Sequence, residues 1–299
     1  MTFGDVFIVG APRSGTTWLQ AVLSQHPSFA SPPETEIFMA LGEIDARYRA
    51  EGRRNGIGRA IGTLQFEDWC ADLWRRTRRD LLAAAPGSSR ILEKSPDHAR
   101  HIALIRRLVP GARFIHLVRH PADVVRSTLE ASEGWGHDWA SPTAEIAAGR
   151  WMTSVSRALD AAQPDDTLMV RYEDLLLGPA QWRPLLDFIG IETTWPIPPL
   201  HLSPAEQASF VVPAAVAGDS GSDSSLMPHA VPGFSYHDRS AEQRRELTRY
   251  ERRYVEFFCH RLLPRVGYPV TRTRLSTVDR IRANIRRVQR VVRRLAAAR

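Results

Sequence analysis

Near the N-terminus the run Phe7-Ile-Val-Gly-Ala-Pro-Arg-Ser-Gly-Thr-Thr-Trp18 sets Gly10 and Gly15 between an apolar, strand-like segment and one with helical spacing. This is the spacing of a phosphate loop, in which backbone N–H groups and a helix N-terminus cradle an anion. A nucleoside triphosphatase needs Gly-Lys-Ser/Thr here, with the lysine on the β- and γ-phosphates and the hydroxyl on magnesium. Thr16 holds the lysine position instead, and the positive charge moves three residues earlier to Arg13. A later strand-like run, Phe114–Val118, ends in Arg119, where such an enzyme offers the metal a carboxylate. The loop therefore reads as an anion cradle without a metal. A plain tight connection is the alternative that glycines alone leave open.

Lys94 is the only lysine among 40 basic residues. Nearly every other basic position is arginine, so Lys94 marks a place where a compact, mobile point charge is needed, because the two side chains are not interchangeable. It lies in Leu92-Glu-Lys-Ser-Pro-Asp-His98. Three further strings stand out: Pro32-Pro-Glu-Thr-Glu-Ile-Phe38, Val118-Arg-His-Pro-Ala-Asp-Val-Val-Arg-Ser127 and Val170-Arg-Tyr-Glu-Asp-Leu175.

Together these strings resemble the sulfotransferases that use 3′-phosphoadenosine 5′-phosphosulfate (PAPS). Pro12-Arg-Ser-Gly-Thr-Thr17 is similar to their 5′-phosphosulfate loop, in the branch that carries arginine where the cytosolic aryl enzymes carry lysine. The motifs are similar to those of the tyrosylprotein enzymes. Arg119, followed eight positions later by Ser127, resembles the 3′-phosphate motif. By this resemblance Arg13, Ser14, Gly15, Thr16, Thr17, Arg119, Ser127 and Tyr172 bind the donor nucleotide, and Glu34 is the general base. Lys94 and Arg13 neutralise the leaving oxygen, as fixed cations do in oxyanion-type sites. A carboxylate base expects burial or a shaped pocket to raise its basicity. Glu36, His98, Asp97 and His101 are the rival bases. The late loop that closes over the 3′-phosphate falls between Gly218 and Arg239 without its usual basic glycine pattern, and Arg239 is the candidate there. Pro264-Arg-Val-Gly-Tyr-Pro269 resembles the family's closing Gly-Tyr turn, so the resemblance runs from Val6 to Pro269.

These residues need a scaffold. Short β-branched or apolar runs at Val6–Val9, Arg90–Leu92, Phe114–Val118 and Leu168–Val170 alternate with helical spacing over Asp68–Ala85, Ala99–Val109, Ala122–Ala131, Pro142–Ala162, Ala180–Ile189 and Ala241–Leu262. Such alternation means an α/β fold, a parallel sheet flanked by helices; the resemblance makes it the P-loop-like sulfotransferase fold. Thr194–Gly233, rich in Pro, Ser, Gly and Ala, reads as a long loop or lid. The expected division is one sulfotransferase domain over 1–275 and a basic amphipathic helix over 276–299.

The 299 residues, 43% of them hydrophobic, suffice for one large core. Cys70 and Cys259 are the only cysteines, so no disulfide framework or paired-cysteine metal spacing exists. No apolar stretch reaches the roughly 18 to 20 residues of a membrane span, and no signal peptide is expected. The expectation is a soluble, cytoplasmic enzyme. A net charge of +7 and a pI near 10.1 invite a nucleic-acid reading. Solvated helix faces and a basic tail account for most of that charge, and no nucleic-acid partner is expected. The acceptor is a hydroxyl of a small molecule, lipid or carbohydrate; the sequence specifies neither which one nor an oligomeric state. The donor is PAPS, with no metal. A small-molecule P-loop kinase and a basic protein for nucleic acid or anionic membrane are the competing readings. For the latter, peripheral membrane contact through the terminal helix stays open.

Overall fold

The computed structural model describes residues 3–51, 63–134, 136–197, 245–270, 276, 277 and 279. Five strands, β1 (Val6–Gly10), β2 (Phe29–Ala30), β3 (Arg90–Lys94), β4 (Arg113–Val118) and β5 (Thr167–Arg171), form one sheet in the order β2-β3-β1-β4-β5. Every neighbouring pair is parallel. A parallel sheet has both faces covered, which is why β1 and β3 are buried along their whole length.

Alternate residues of β1 feed opposite cores, as a period of two requires. Phe7 and Val9 point to one side, where Phe38, Trp74 and Phe114 gather. Val6 and Ile8 point to the other, with Trp18, Leu19 and Trp182. A third cluster joins Val118 and Val125 to Trp151, Val255 and Cys259.

The helices are α1 (Thr16–Leu23), α2 (Ile37–Glu51), α3 (Thr63–Ala83), α4 (Ile102–Leu108), α5 (Pro121–Ser132), α6 (Ala144–Ala161), α7 (Tyr172–Leu175), α8 (Arg183–Ile189) and α9 (Arg249–Cys259). Pro121 opens α5 in its first turn, where the missing N–H costs nothing, and the His120 imidazole accepts the Ala122 N–H. Thr143 caps α6, and Thr248 with Glu251 forms a reciprocal capping box on α9.

The helix expected over Ala99–Val109 is two pieces, a 3-10 turn at Pro96–Arg100 and then α4, because His101 leaves helical geometry with φ −119°. Ala180–Ile189 divides in the same way, into a 3-10 turn at Pro179–Trp182 and α8. The long period over Ala241–Leu262 is helical at Arg249–Cys259. The loop expected after residue 197, Arg239 and nearly all of the helix expected over 276–299 lie outside the described residues. Among the described residues, no helix is long and apolar enough to cross a membrane.

Candidate functional site

Gly10, Lys94, Arg119 and Tyr172 sit at or just beyond the carboxyl ends of the strands, the edge where open α/β sheets bind ligands, and Ser127 lies on α5, the helix after β4. Gly10 ends β1, Lys94 ends β3, Arg119 follows β4 and Tyr172 follows β5. Ile8 lies beside Lys94 and Gly10 beside Leu117 in register, so parallel pairing aligns these ends.

The loop from Gly10 to Gly15 is tight. A Cβ on Gly10 would stand 2.4 Å from the Leu117 carbonyl oxygen, so only glycine lets β1 and β4 close there. Arg13 has φ 73° and Gly15 φ 94°, both left-handed. For Arg13 that conformation costs about 1–2 kcal/mol and persists only where the surroundings dictate it. Gly15 caps α1 without offering a side-chain acceptor. The first amides of α1 therefore have no side-chain cap and face the cradle, as an anion requires. The Ser14 hydroxyl is fully buried, with no hydrogen-bond partner among the described residues. Thr16 is buried and Thr17 exposed.

The second anion position closes onto the first. Arg13 Nε donates to Ser127 Oγ at 3.0 Å across 114 residues of sequence. The Arg119 guanidinium lies 4.7 Å from the centroid of the Tyr172 ring, and its Nε is buried without a hydrogen-bond partner among the described residues. The same ring packs on Gly15, where an added Cβ would meet it at 2.7 Å. One tyrosine therefore contacts both the loop and the second arginine. The Trp151 indole fixes the backbone by donating to the Arg119 carbonyl at 3.0 Å.

Lys94 and Glu34 form an ion pair. Of the two routes to a stronger base, burial or a shaped pocket, Glu34 does not take the first: its side chain is 42% exposed, whereas its lysine partner is 5% exposed. Glu34 lies on a turn before α2 and Lys94 at the end of β3, so the buried member of the pair is the one at the strand end. The turn is anchored by Gln20 Nε2, which donates to the Pro32 carbonyl at 2.9 Å, and by Ser31 Oγ, which donates to the Leu92 carbonyl at 3.2 Å.

The rival bases are placed differently. His98 is neither a cap nor on the surface: it is completely buried, its Nδ1 2.9 Å from Glu93 and its ring edge-on to Phe38. His101 packs against Gly42, and burial, then the positive neighbours His98 and Arg100, push its pKa below the ordinary value. Glu36 is exposed, with φ 50°.

Two carboxylates escaped the sequence reading. Glu93 is fully buried and accepts from Ser95, Thr35 and His98. Burial drives its carboxyl upward, but those donors outweigh it and hold it below the usual carboxylate range. Glu173 accepts the His120 N–H at 2.9 Å and the Tyr268 hydroxyl, tying the Gly267-Tyr268 turn to the residue after Arg119. Burial, then the bond to Glu173, raises the Tyr268 pKa. The signal for both was adjacency, since Glu93 precedes Lys94 and Glu173 follows Tyr172.

Known proteins carry the same arrangement of sequence. A family model described as "Sulfotransferase family" matches residues 5–196. Nodulation protein NoeE of Sinorhizobium fredii is 29% identical over 58% of this chain and 40% of its own length. Protein-tyrosine sulfotransferase 1 of Danio rerio is 25% identical over 62% of this chain and 53% of its own. The chain thus spans about half or less of the curated relatives it matches. Among solved structures, the sulfotransferase domain from the curacin biosynthetic pathway superposes with a TM-score of 0.52 at 20% identity, covering 90% of this chain and 99% of that domain. That likeness is one of fold.

Proposed function

The chain belongs to the sulfotransferase family, and from that premise we propose that it moves a sulfuryl group from PAPS to a hydroxyl of a small-molecule, lipid or carbohydrate acceptor. The observation that carries this reading is the coupling of the two anion positions, Arg13 to Ser127 and Arg119 through Tyr172 to Gly15. A donor with a phosphosulfate at one end of its ribose and a phosphate at the other needs both. The fit is supported by the uncapped start of α1, the unpartnered Ser14 hydroxyl and the unpartnered Arg119 Nε.

When bound, the donor supplies the activated sulfuryl group and the bisphosphate leaving group. The chain's own residues do the rest. Glu34 takes the acceptor's proton at a carboxylate oxygen, and its exposure leaves it within reach of an entering alcohol. Lys94 and Arg13 hold positive charge where the leaving oxygen becomes negative, and burial of Lys94 strengthens that field. Arg119 and Ser127 orient the nucleotide and add binding energy far from the reacting atoms.

The competing readings fit less well. Thr16 is buried in the cradle and gives a kinase no lysine for the terminal phosphates. Against a nucleic-acid surface, many described arginines are already matched to carboxylates: Arg49 to Asp45, Arg76 to Asp72, Arg107 to Glu67, Arg126 to Glu130 and Arg245 to Glu251. The test is incubation with sulfur-labelled PAPS and a panel of phenols, sugars and glycolipids. Label on a hydroxyl supports the reading. Label retained on the donor with every acceptor, tyrosine peptides included, contradicts it.

A further inference from the structure

Glu93 has no place in the chemistry above, yet it touches the residues next to both members of the Glu34–Lys94 pair. Its Oε1 accepts the Thr35 backbone N–H at 3.3 Å, the Thr35 hydroxyl at 3.0 Å and the Ser95 hydroxyl at 2.6 Å. Its Oε2 faces His98 Nδ1 at 2.9 Å. Thr35 follows Glu34 in the chain, and Ser95 follows Lys94. The Ser95 oxygen in turn accepts the Glu36 N–H at 3.4 Å.

A carboxylate this deeply buried is tolerated only when its oxygens are satisfied, so the four donors are conditions of its burial. They also constrain the turn. Glu36 is a non-glycine residue at φ 50°, a conformation held in place only where several contacts agree. On the near side Gln20 and Ser31 grip the chain, and on the far side Thr35 and Glu36 are held to Glu93 and Ser95. Between these grips stands Glu34. Its own side chain is 42% exposed, so the clamp on its neighbours, with the Lys94 ion pair, decides where the carboxylate points.

Resting on the sulfuryl-transfer reading, we propose that Glu93 is the positioning residue for the base, acting through Thr35 and Ser95 to set Glu34 against Lys94. The clamp spans the gap between β3 and the turn before α2. It works through hydrogen bonds: among the described residues, the Glu93 carboxylate bonds to Thr35, Ser95 and His98.

The single lysine gives a direct readout. Amine acylation of the folded full-length protein, followed by peptide mass spectrometry, reports Lys94 separately from the N-terminal amine. Thr35→Val keeps the size of the side chain and removes one donor to Glu93. It should label Lys94 about fivefold faster, the change expected from one hydrogen bond of ordinary net worth. Thr35→Ser restores the donor and should restore the wild-type rate, which a merely space-filling role would not require. Wild-type labelling in Thr35→Val, or equal rates in the serine and valine variants, overturns the proposal. Adenosine 3′,5′-bisphosphate binding is measured by calorimetry on the same samples. Its absence in the wild type overturns the sulfuryl-transfer reading and the role with it. Binding in every sample with unchanged labelling overturns the positioning role alone.

Discussion

The Arg119 guanidinium lies 4.7 Å from the centroid of the Tyr172 ring, and that ring also packs on Gly15 of the phosphate loop. A cation held over an aromatic face gains about 0.5–2 kcal/mol, and here the gain comes with a fixed orientation at the sheet edge. Arg119→Ala should weaken adenosine 3′,5′-bisphosphate binding at least tenfold, roughly the 1.5–3 kcal/mol of a charge-assisted hydrogen bond. Tyr172→Leu should weaken it less. Calorimetry checks both, and unchanged affinity in Arg119→Ala would remove that arginine from the donor site.

Gly15→Ala tests the loop side of the same contact. The new Cβ would meet the Tyr172 ring at 2.7 Å, in a backbone conformation of φ 94°. The left-handed geometry alone costs about 1–2 kcal/mol, so the melting temperature and bisphosphate affinity should fall together. A variant with wild-type melting and affinity would mean that the loop relaxes freely.

How much of this could be read from the sequence depends on the length of the signal. Four of the five strands and the start of α1 were legible because short β-branched or apolar runs stand between segments of helical spacing. β2 is only Phe29–Ala30, too short for any periodicity to register. α2 went unassigned because Ile37–Glu51 mixes apolar, acidic and basic residues around its circumference. The residues of the site were marked by their motifs, and the structure brings Arg13 to Ser127 and Lys94 to Glu34. What no motif could show is exposure: the Glu34 side chain is 42% exposed, while His98 is buried on a carboxylate. Burial of a turn residue depends on packing between distant segments, which local spacing does not encode.

Turnover should depend on the ion pair. Lys94→Ala and Glu34→Gln are each expected to lower kcat by about 100-fold or more while leaving the melting temperature close to wild type. Rates of bisphosphate release with an acceptor from the labelled-donor panel, together with melting curves, give the comparison. Near-normal turnover in Glu34→Gln would assign the base elsewhere.

Acid should destabilise the fold through His116. This residue lies fully buried on β4, neither ring nitrogen has a hydrogen-bond partner among the described residues, and burial lowers its pKa to about 4. The unfolded chain takes up that proton near the ordinary value of about 6.5, so below this pH the unfolded state binds more protons and stability falls with falling pH. The loss runs from about pH 6.5 down to about pH 4 and amounts to about 3 kcal/mol. Denaturant melts of wild type and His116→Leu at pH 7 and pH 4.5 should show a smaller drop in the variant. Parallel drops would place the acid sensitivity in other groups.

The central claim is that the Gly10–Thr17 loop and the Arg119–Ser127 pair form one site for a nucleotide with anions at both ends. The most direct measurement is calorimetric titration of the protein with adenosine 3′,5′-bisphosphate and, separately, with ATP, each with magnesium and with chelator. The account predicts bisphosphate binding that is indifferent to magnesium and stronger than ATP binding. Magnesium-dependent binding of ATP, with none of the bisphosphate, would contradict it.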